Sequence, residues 1–440
     1  MRLTRLQTLL IFSLIGFMLF SFVIPQPRTT LNVYAAPPPL DKPASTYTGT
    51  ATVNAFSSPD SSFFVVYDLL EKTENEMQIM VYALTNWFLI EAIHDALARN
   101  GSMEITIIVS WKWASPAERS LTKGAFYNLS QNAAFGSNLQ LFYSEDTYLE
   151  FTHAKFMIFD GEYLVVESAN WAKSGIPPAS SAGNREWGVV IQQPDVVNYF
   201  METFVHDLTL DNVEPYVPDI ADEEDFSDNI TTGSYPAPFE NQTFTGSMSI
   251  QCVLSPDNDV PTIVALINSA TTTLEVQQMY SKMEWDGNAN QFNDAIIAAA
   301  ARGVTCRVML DNRSSGMQEV GEMLVANEVQ VAFSNQSYFG WTHNKGVIVD
   351  GNKVLISSIN WSFESTHENR EAGVIITHSG VANYFKQIFN WDWDVGVHLE
   401  APTTTPTETP IPMEYIIIGA AITIIIIVGS FLWNWYKKRK

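Results

Sequence analysis

Residues 153–171 read HAKFMIFDGEYLVVESANW, and residues 343–361 read HNKGVIVDGNKVLISSINW. In both stretches a His and a Lys stand two positions apart, four residues separate the Lys from an Asp-Gly pair, and Ser-x-Asn-Trp closes the stretch. The Asn follows its His by 17 residues each time: His153 to Asn170, His343 to Asn360. One His-x-Lys pair would carry little weight. Two copies with matched spacing identify an internal duplication.

Period-2 geometry gives the local structure. Phe156–Phe159 and Val347–Val349 read as strands, so His153 and Lys155 share one face, as do His343 and Lys345. Gly161-Glu162 and Gly351-Asn352 have the chemistry of two-residue hairpin loops. Folding back there sets His153 opposite Asn170 and Lys155 opposite Ser168, with His343 opposite Asn360 and Lys345 opposite Ser358. A Lys charge, an imidazole and neutral donors on one patch form a receptor for phosphate oxygens that needs no metal and no cofactor. Two such patches supply one imidazole to attack phosphorus and another to protonate the leaving oxygen.

The duplication extends upstream. Ser58-Pro59-Asp60 is answered by Ser255-Pro256-Asp257. After each comes a helical pattern (63–70; 262–269), a strand pattern (77–82; 273–279), a second helix (90–99; 292–302) and a strand (105–109; 305–310). Gly101 and Gly303 fall where each second helix should end, as a left-handed cap requires. Residues 211–247, with Asp222-Glu223-Glu224-Asp225 and four prolines, read as an acidic linker. The expected fold is α/β, with two similar halves, residues 50–210 and 248–398. Their mixed sheets pack about a pseudo-twofold axis with the site between them.

Composition narrows the function. The 440 residues are 46% hydrophobic, enough for two real cores, and 24 basic against 48 acidic residues give a net charge of −24. No broad basic surface exists to hold a nucleic-acid backbone. The two cysteines, Cys252 and Cys306, exclude a four-Cys zinc site and leave one disulfide or two buried thiols open. Arg2 and Arg5 precede an uncharged, mostly apolar run from Leu9 to Ile24, so residues 1–36 read as a secretory signal or an uncleaved anchor. Tyr415 to Trp433 is 19 residues without a charge, followed by Lys437-Lys438-Arg439-Lys440. It reads as a C-terminal transmembrane helix with its tail, 434–440, in the cytoplasm. Residues 399–412 read as a Thr/Pro stalk. Removing residues 1–36 and 413–440 leaves 17 basic and 47 acidic residues, or −30, on the part expected outside.

These residues resemble the phospholipase D superfamily, recognised by two His-x-Lys-x4-Asp motifs, each followed by a Gly-Ser-x-Asn-like segment. The resemblance spans roughly residues 50 to 395. It implies two phospholipase D-like halves and a covalent phosphohistidine mechanism without metal. By analogy His153 is the nucleophile and His343 the acid and base, with Lys155, Lys345, Asn170 and Asn360 on the phosphate and Ser168 and Ser358 beside them. It also implies a carboxylate after each motif that fixes a His tautomer, and Glu186 and Glu371 occupy those places. Asp160 and Asp350 belong to the motifs, and their reading stays divided between catalytic support and turn residue. The family's Gly before Ser-x-Asn is Glu167 in the first half and Ser357 in the second. Alternation places Glu167 on the face opposite the His/Lys patch, pushing a carboxylate toward the core.

Trp111, Trp113 and Trp341 are candidates to line a groove, Trp341 foremost. The remaining histidines read as structural. The expected function is a membrane-anchored, extracytoplasmic phosphodiesterase hydrolysing a phosphodiester, with phospholipid and membrane as partners. An exported nuclease acting on nucleic acid is the first alternative, and a silent lipid or phosphate receptor of the same fold is a further one. A cardiolipin synthase-like transferase ranks lower, because that group carries N-terminal spans and a cytoplasmic catalytic part.

Overall fold

A computed structural model describes residues 42–112, 115–145, 152–178, 181–210, 212–224, 234–236 and 238–400, together with 433 and 437. The expected signal segment, the Thr/Pro stalk after 400, the expected span at 415–433 apart from Trp433, and Trp113 lie outside them. Among the described residues no helix is long and apolar enough to cross a membrane.

The first half runs β1 (Thr46–Ser58), α1 (Ser62–Lys72), β2 (Glu76–Val81), α2 (Trp87–Arg99), β3 (Glu104–Ser110), α3 (Pro116–Ser130), β4 (Leu139–Ser144), β5 (Phe156–Phe159), β6 (Tyr163–Glu167), β7 (Glu186–Gln192), α4 (Pro194–Asp207) and β8 (Val213–Pro215). The second runs β9 (Gln242–Ser255), α5 (Asp259–Asn268), β10 (Thr273–Gln278), β11 (Glu284–Trp285), β12 (Asn288–Ala289), α6 (Gln291–Ala301), β13 (Thr305–Leu310), α7 (Met317–Val325), β14 (Gln330–Phe333), β15 (Lys345–Val349), β16 (Lys353–Ser357), β17 (Glu371–Thr377), α8 (Ser379–Val395) and β18 (Val397–His398). The strand order outward from the centre is 1-7-6-5-2-3-4-8 in one half and 9-17-16-15-10-13-14-18 in the other, the same path twice. Parallel pairs β2–β3–β4 and β10–β13–β14 sit beside antiparallel meanders, which gives the mixed sheets expected.

The halves are more closely joined than two packed sheets. β1 and β9 pair antiparallel from Thr46↔Gln251 to Ala55↔Gln242, so one 16-stranded sheet runs through both. β9 therefore begins inside the stretch read as linker, because Thr243, Thr245 and Ser247 alternate with Phe244 and Gly246 as a two-sided strand. The main core lies between the halves. Phe156, Trp187 and Val189 of the first half share it with Ile348, Ile356 and Val374 of the second, under α4 and α8. Satellite cores lie under α1–α3 and under α5–α7.

Gly303 takes the left-handed cap expected of it, at φ +88°, but Gly101 does not. The extended Asn100 ends α2 instead, its N–H donating to the Ala96 carbonyl. Cys252 and Cys306 are free and buried on β9 and β13.

Candidate active site

The hairpins that present the histidines turn one residue differently from the expected loops. Asp160 and Gly161 both adopt positive φ (+50° and +63°), as do Asp350 and Gly351 (+52° and +61°), and Glu162 and Asn352 donate to the Phe159 and Val349 carbonyls. The loops are therefore Asp160-Gly161-Glu162 and Asp350-Gly351-Asn352, with Phe159↔Tyr163 and Val349↔Lys353 closing them. A one-residue change of register exchanges the faces of a strand. Glu167, whose N–H donates to the Lys155 carbonyl, lies across from Lys155 on the same face, not on the opposite one. Ser168 and Ser358 move off the phosphate-facing side.

This register corrects the direct phosphate role expected of the two serines. Ser168 Oγ donates to Glu186 Oε2 at 2.6 Å and accepts from Trp187 N, and Ser358 Oγ donates to Glu371 Oε2 at 2.5 Å and accepts from Ala372 N. Both hydroxyls are fully buried and spent on the carboxylates. Of the two readings left open for Asp160 and Asp350, the contacts are those of turn residues. Both sit at the far ends of their strands, roughly 20 Å along the chain from the histidines at about 3.3 Å per residue. Asp160 accepts from Glu74, Asn75 and Glu76 N–H groups, and Asp350 from Thr271, Thr272 and Thr273. They brace the hairpin turns against β2 and β10.

The carboxylates cross between halves. His153 N–H donates to the Arg370 carbonyl and His343 N–H to the Arg185 carbonyl, so each motif is stitched to the other half's Asn-Arg-Glu segment. Glu371 thereby reaches His153, with Nδ1 at 2.7 and 2.8 Å from its two oxygens, while Glu186 Oε2 lies 3.0 Å from His343 Nδ1. The arginines fix this crossing. Arg185 is gripped by Asp60 of its own half and by Asp392 of α8, and Arg370 by Asp257 of its own half and by Asp207 of α4. All of these side chains are buried, and breaking one such pair leaves an uncompensated charge, at a cost of about 3–5 kcal/mol. The matched Ser-Pro-Asp triplets are thus half of an interlock. Its other half, Asp207 and Asp392, went unread, although each stands seven residues after a repeated Asn-Tyr-Phe, at 198–200 and 383–385.

Electrostatics set the protonation states. Burial pulls His153 down to about 4, against the pull of Glu371, and lowers His343 in the same way. Glu186 and Glu371 stay below the usual carboxylate range, because the facing imidazoles and lysines outweigh the penalty of burial. At neutral pH each imidazole is therefore neutral, its Nδ1–H donated to a carboxylate and its Nε2 left with a lone pair. Burial, with repulsion between the two ammonium groups, lowers Lys155 to about 7. Burial brings Lys345 to about 8. Each Nζ donates to the carbonyl of the His two residues before it.

His153, His343, Asn170 and Asn360 line one open cleft of about 740 Å³ between the halves. The Oδ1 atoms of Asn170 and Asn360 are buried without a hydrogen-bond partner among the described residues, and the donor that each carboxamide can offer a phosphate oxygen is its Nδ2. Trp341 lines the same cleft with Arg313 stacked 3.8 Å from its ring, whereas Trp111 packs on Tyr143 away from it. Tyr280, Lys282 and Glu118 also line it, and no sequence pattern marks them, since only the fold brings their two separate segments to the motifs. A larger cleft, about 870 Å³, lies by the Asp160 turn and contains no histidine.

The chain is 34% identical over 98 residues to a mitochondrial cardiolipin hydrolase of Xenopus tropicalis, covering 22% of this chain and 45% of that one. Over 97 residues it is 32% identical to a phospholipase D of Rickettsia conorii, covering 22% and 47%. The chain thus spans about half the length of the curated relatives it matches. A phosphatidylserine synthase of Haemophilus influenzae shares the fold, with a TM-score of 0.59 at 13% identity over 87% of this chain and 96% of that one. The model of the cardiolipin synthase, PLD-like domain family matches residues 66–208 and 263–393, one match in each half and more than half of the chain together. With that domain present twice, the chain belongs to the phospholipase D superfamily.

Proposed function

We propose that this chain is a phosphodiesterase that hydrolyses a glycerophospholipid through a phosphohistidine, on a domain exported and tethered to a membrane by residues 415–433. The observation that carries the reading is the pair of crossed His–Glu dyads opening on one cleft, with a buried Lys behind each. In the first step His153 Nε2 bonds to phosphorus, the bond to the leaving oxygen breaks, and His343, protonated when the anionic phosphodiester binds, gives that oxygen its proton. In the second, water attacks phosphorus, His343 takes its proton, and the P–N bond breaks to release the phosphomonoester. Lys155, Lys345, Asn170 and Asn360 hold the non-bridging oxygens as negative charge builds on them. Glu371 and Glu186 stabilise the imidazolium forms, and no step calls for a metal.

The names of the Xenopus and Rickettsia relatives support a phospholipid substrate. So does the −30 charge of the part expected outside, which opposes the approach of a polyanion. The full chain in mixed micelles, assayed on phosphatidylcholine, on cardiolipin and on single-stranded DNA beside its His343→Ala variant, with and without a chelator, tests this. Chelator-resistant lipid cleavage lost in the variant is expected. Cleavage of DNA alone would replace the lipid reading with the nuclease, and no turnover of any substrate would favour the silent receptor.

A further inference from the structure

The Trp after each active-site Asn is anchored differently in the two halves. The Trp171 carbonyl accepts from Thr85 N at 2.7 Å and Asn86 N at 2.9 Å, and its indole Nε1 donates to Glu167 Oε1 at 3.1 Å. The Trp361 carbonyl accepts from Lys282 N at 2.9 Å and additionally from Trp285 Nε1 and Asn290 Nδ2, both at 3.3 Å. Trp285 belongs to the β11–β12 hairpin, which is inserted between Lys282 and Asn290 where the first half passes directly from Thr85 to Asn86. The Trp361 indole Nε1, in the half that has Ser357 where the first has Glu167, has no hydrogen-bond partner among the described residues. Both halves hold the tryptophan carbonyl from the backbone; the second adds side-chain donors from the hairpin and the start of α6, and the first adds an indole bond to a buried acid.

We propose that Glu167 is a positioning residue, which through the Trp171 indole holds the Ser168–Trp171 turn and so sets Asn170 against the substrate phosphate. Glu167 occupies the place where the superfamily's motif has Gly, it is 1% exposed, and its second oxygen has no partner among the described residues. An ionised carboxylate in that place would be costly. Burial, reinforced by Glu186 and opposed by the Trp171 bond and by Lys155, raises it to about 8, so at neutral pH it is an uncharged acid that can accept from the indole. The turn it serves is tight, since a Cβ on Gly175 would stand 2.3 Å from the Asn170 carbonyl oxygen. Asn170 is joined to Trp171 by one peptide bond, so a displaced Trp171 shifts it.

This inference rests on the phosphodiesterase reading and is tested with Glu167→Gln, an uncharged acceptor of the same shape, Glu167→Leu, which fills the space without an acceptor, and Trp171→Phe. Glu167→Gln should keep native turnover. Glu167→Leu should lower kcat on the order of tenfold with KM changed less than twofold, and Trp171→Phe should lower it equally and add nothing to it. Native kcat per titrated active site in Glu167→Leu, with only its melting temperature lowered, would overturn the proposal, as would a gain in activity. The Trp171 indole N–H resonance and the affinity for inorganic phosphate give a readout independent of turnover. Both should change in Glu167→Leu and hold in Glu167→Gln. If the native chain hydrolyses nothing, the phosphodiesterase reading fails alone, while unchanged resonance and phosphate affinity in Glu167→Leu defeat the positioning role whatever the activity.

Discussion

The half that ends at β8 and the half that begins at β9 carry His, Lys, Asn and Trp at identical spacing and support them with the same Ser, Glu and Arg, yet they anchor their tryptophans differently. One has Glu167 where the other has Ser357, and one has a direct path into its second helix where the other inserts a hairpin. Groups that would touch phosphate must meet a fixed tetrahedral geometry, so both copies hold them at the same places. The tryptophan anchors need only fill space and satisfy donors, a demand with several solutions. The crossing of the glutamates adds that neither half is complete: each His borrows its carboxylate from the other.

The sharpest way to break this equivalence is to remove one imidazole at a time. His153→Ala and His343→Ala should each lower kcat at least a thousandfold on a lipid substrate, since each removes an obligatory proton or bond partner. They should part company on a substrate with an activated leaving group, which needs no proton. There His343→Ala should still form the phosphohistidine and accumulate it, whereas His153→Ala should form none. Phosphoenzyme in His153→Ala instead would exchange the two roles and leave the crossed geometry untouched.

The crossing itself is tested by Glu186→Gln and Glu371→Gln, each expected to lower kcat on the order of a hundredfold by weakening the hold on one imidazolium. Each should also erase one low-field imidazole N–H resonance: Glu371→Gln that of His153, Glu186→Gln that of His343. The reverse assignment would mean that each glutamate serves the histidine of its own half.

Much of this was legible before the fold was known, and what was not has definite causes. Period and spacing sufficed to place His153 with Lys155 and to find the second copy, because a strand's alternation is local. The turn differs by one residue from that reading, since a two-residue Gly161-Glu162 loop and a three-residue Asp160-Gly161-Glu162 loop both suit this sequence, and the left-handed φ of Asp160 separates them. That single step misplaced Ser168, Ser358 and the face of Glu167. The crossed partners were out of reach for another reason: a duplication reveals which residues correspond, not which of two identical sockets each one enters. β1–β9 pairing, which decides that, involves strands whose patterns suit either side of a sheet.

The paired lysines predict a response to pH that they share. Both are lowered from the usual ammonium range, so the charged form that binds phosphate is lost as pH rises. Burial brings them to about 7 and about 8, and because the two ammonium groups repel each other they discharge as a pair. kcat/KM should therefore fall above neutrality along a limb that belongs to both. In Lys155→Arg and in Lys345→Arg alike that limb should become shallower, one proton being lost instead of two, since Arg does not deprotonate in this range. A limb unaltered by either replacement would mean that another group governs it.

The smallest effects belong to the two turn aspartates, where the halves should behave alike in activity and differ in stability. Neither carboxylate touches the cleft, so Asp160→Ala and Asp350→Ala should leave kcat within twofold of native, about the scatter of a remote substitution. Each loses the acceptors for three successive backbone N–H groups, much as a lost helix cap does, so stability should drop by about 1–2 kcal/mol. Asp350 also accepts from the Thr271 hydroxyl at 2.7 Å, a contact Asp160 lacks, so Asp350→Ala should be the worse of the two. Burial pushes the Asp350 carboxyl up, but those hydrogen bonds together outweigh it and hold it down to about 2 from its usual 3.8. A carboxylate held below its unfolded value stabilises the fold above that value and ceases to as pH falls through the folded one. The gap in denaturation midpoint between native and Asp350→Ala should thus be full at pH 5 and close as pH approaches 2. A gap that persists at pH 2 would show that the turn is held by the shape of Asp350 and not by its charge.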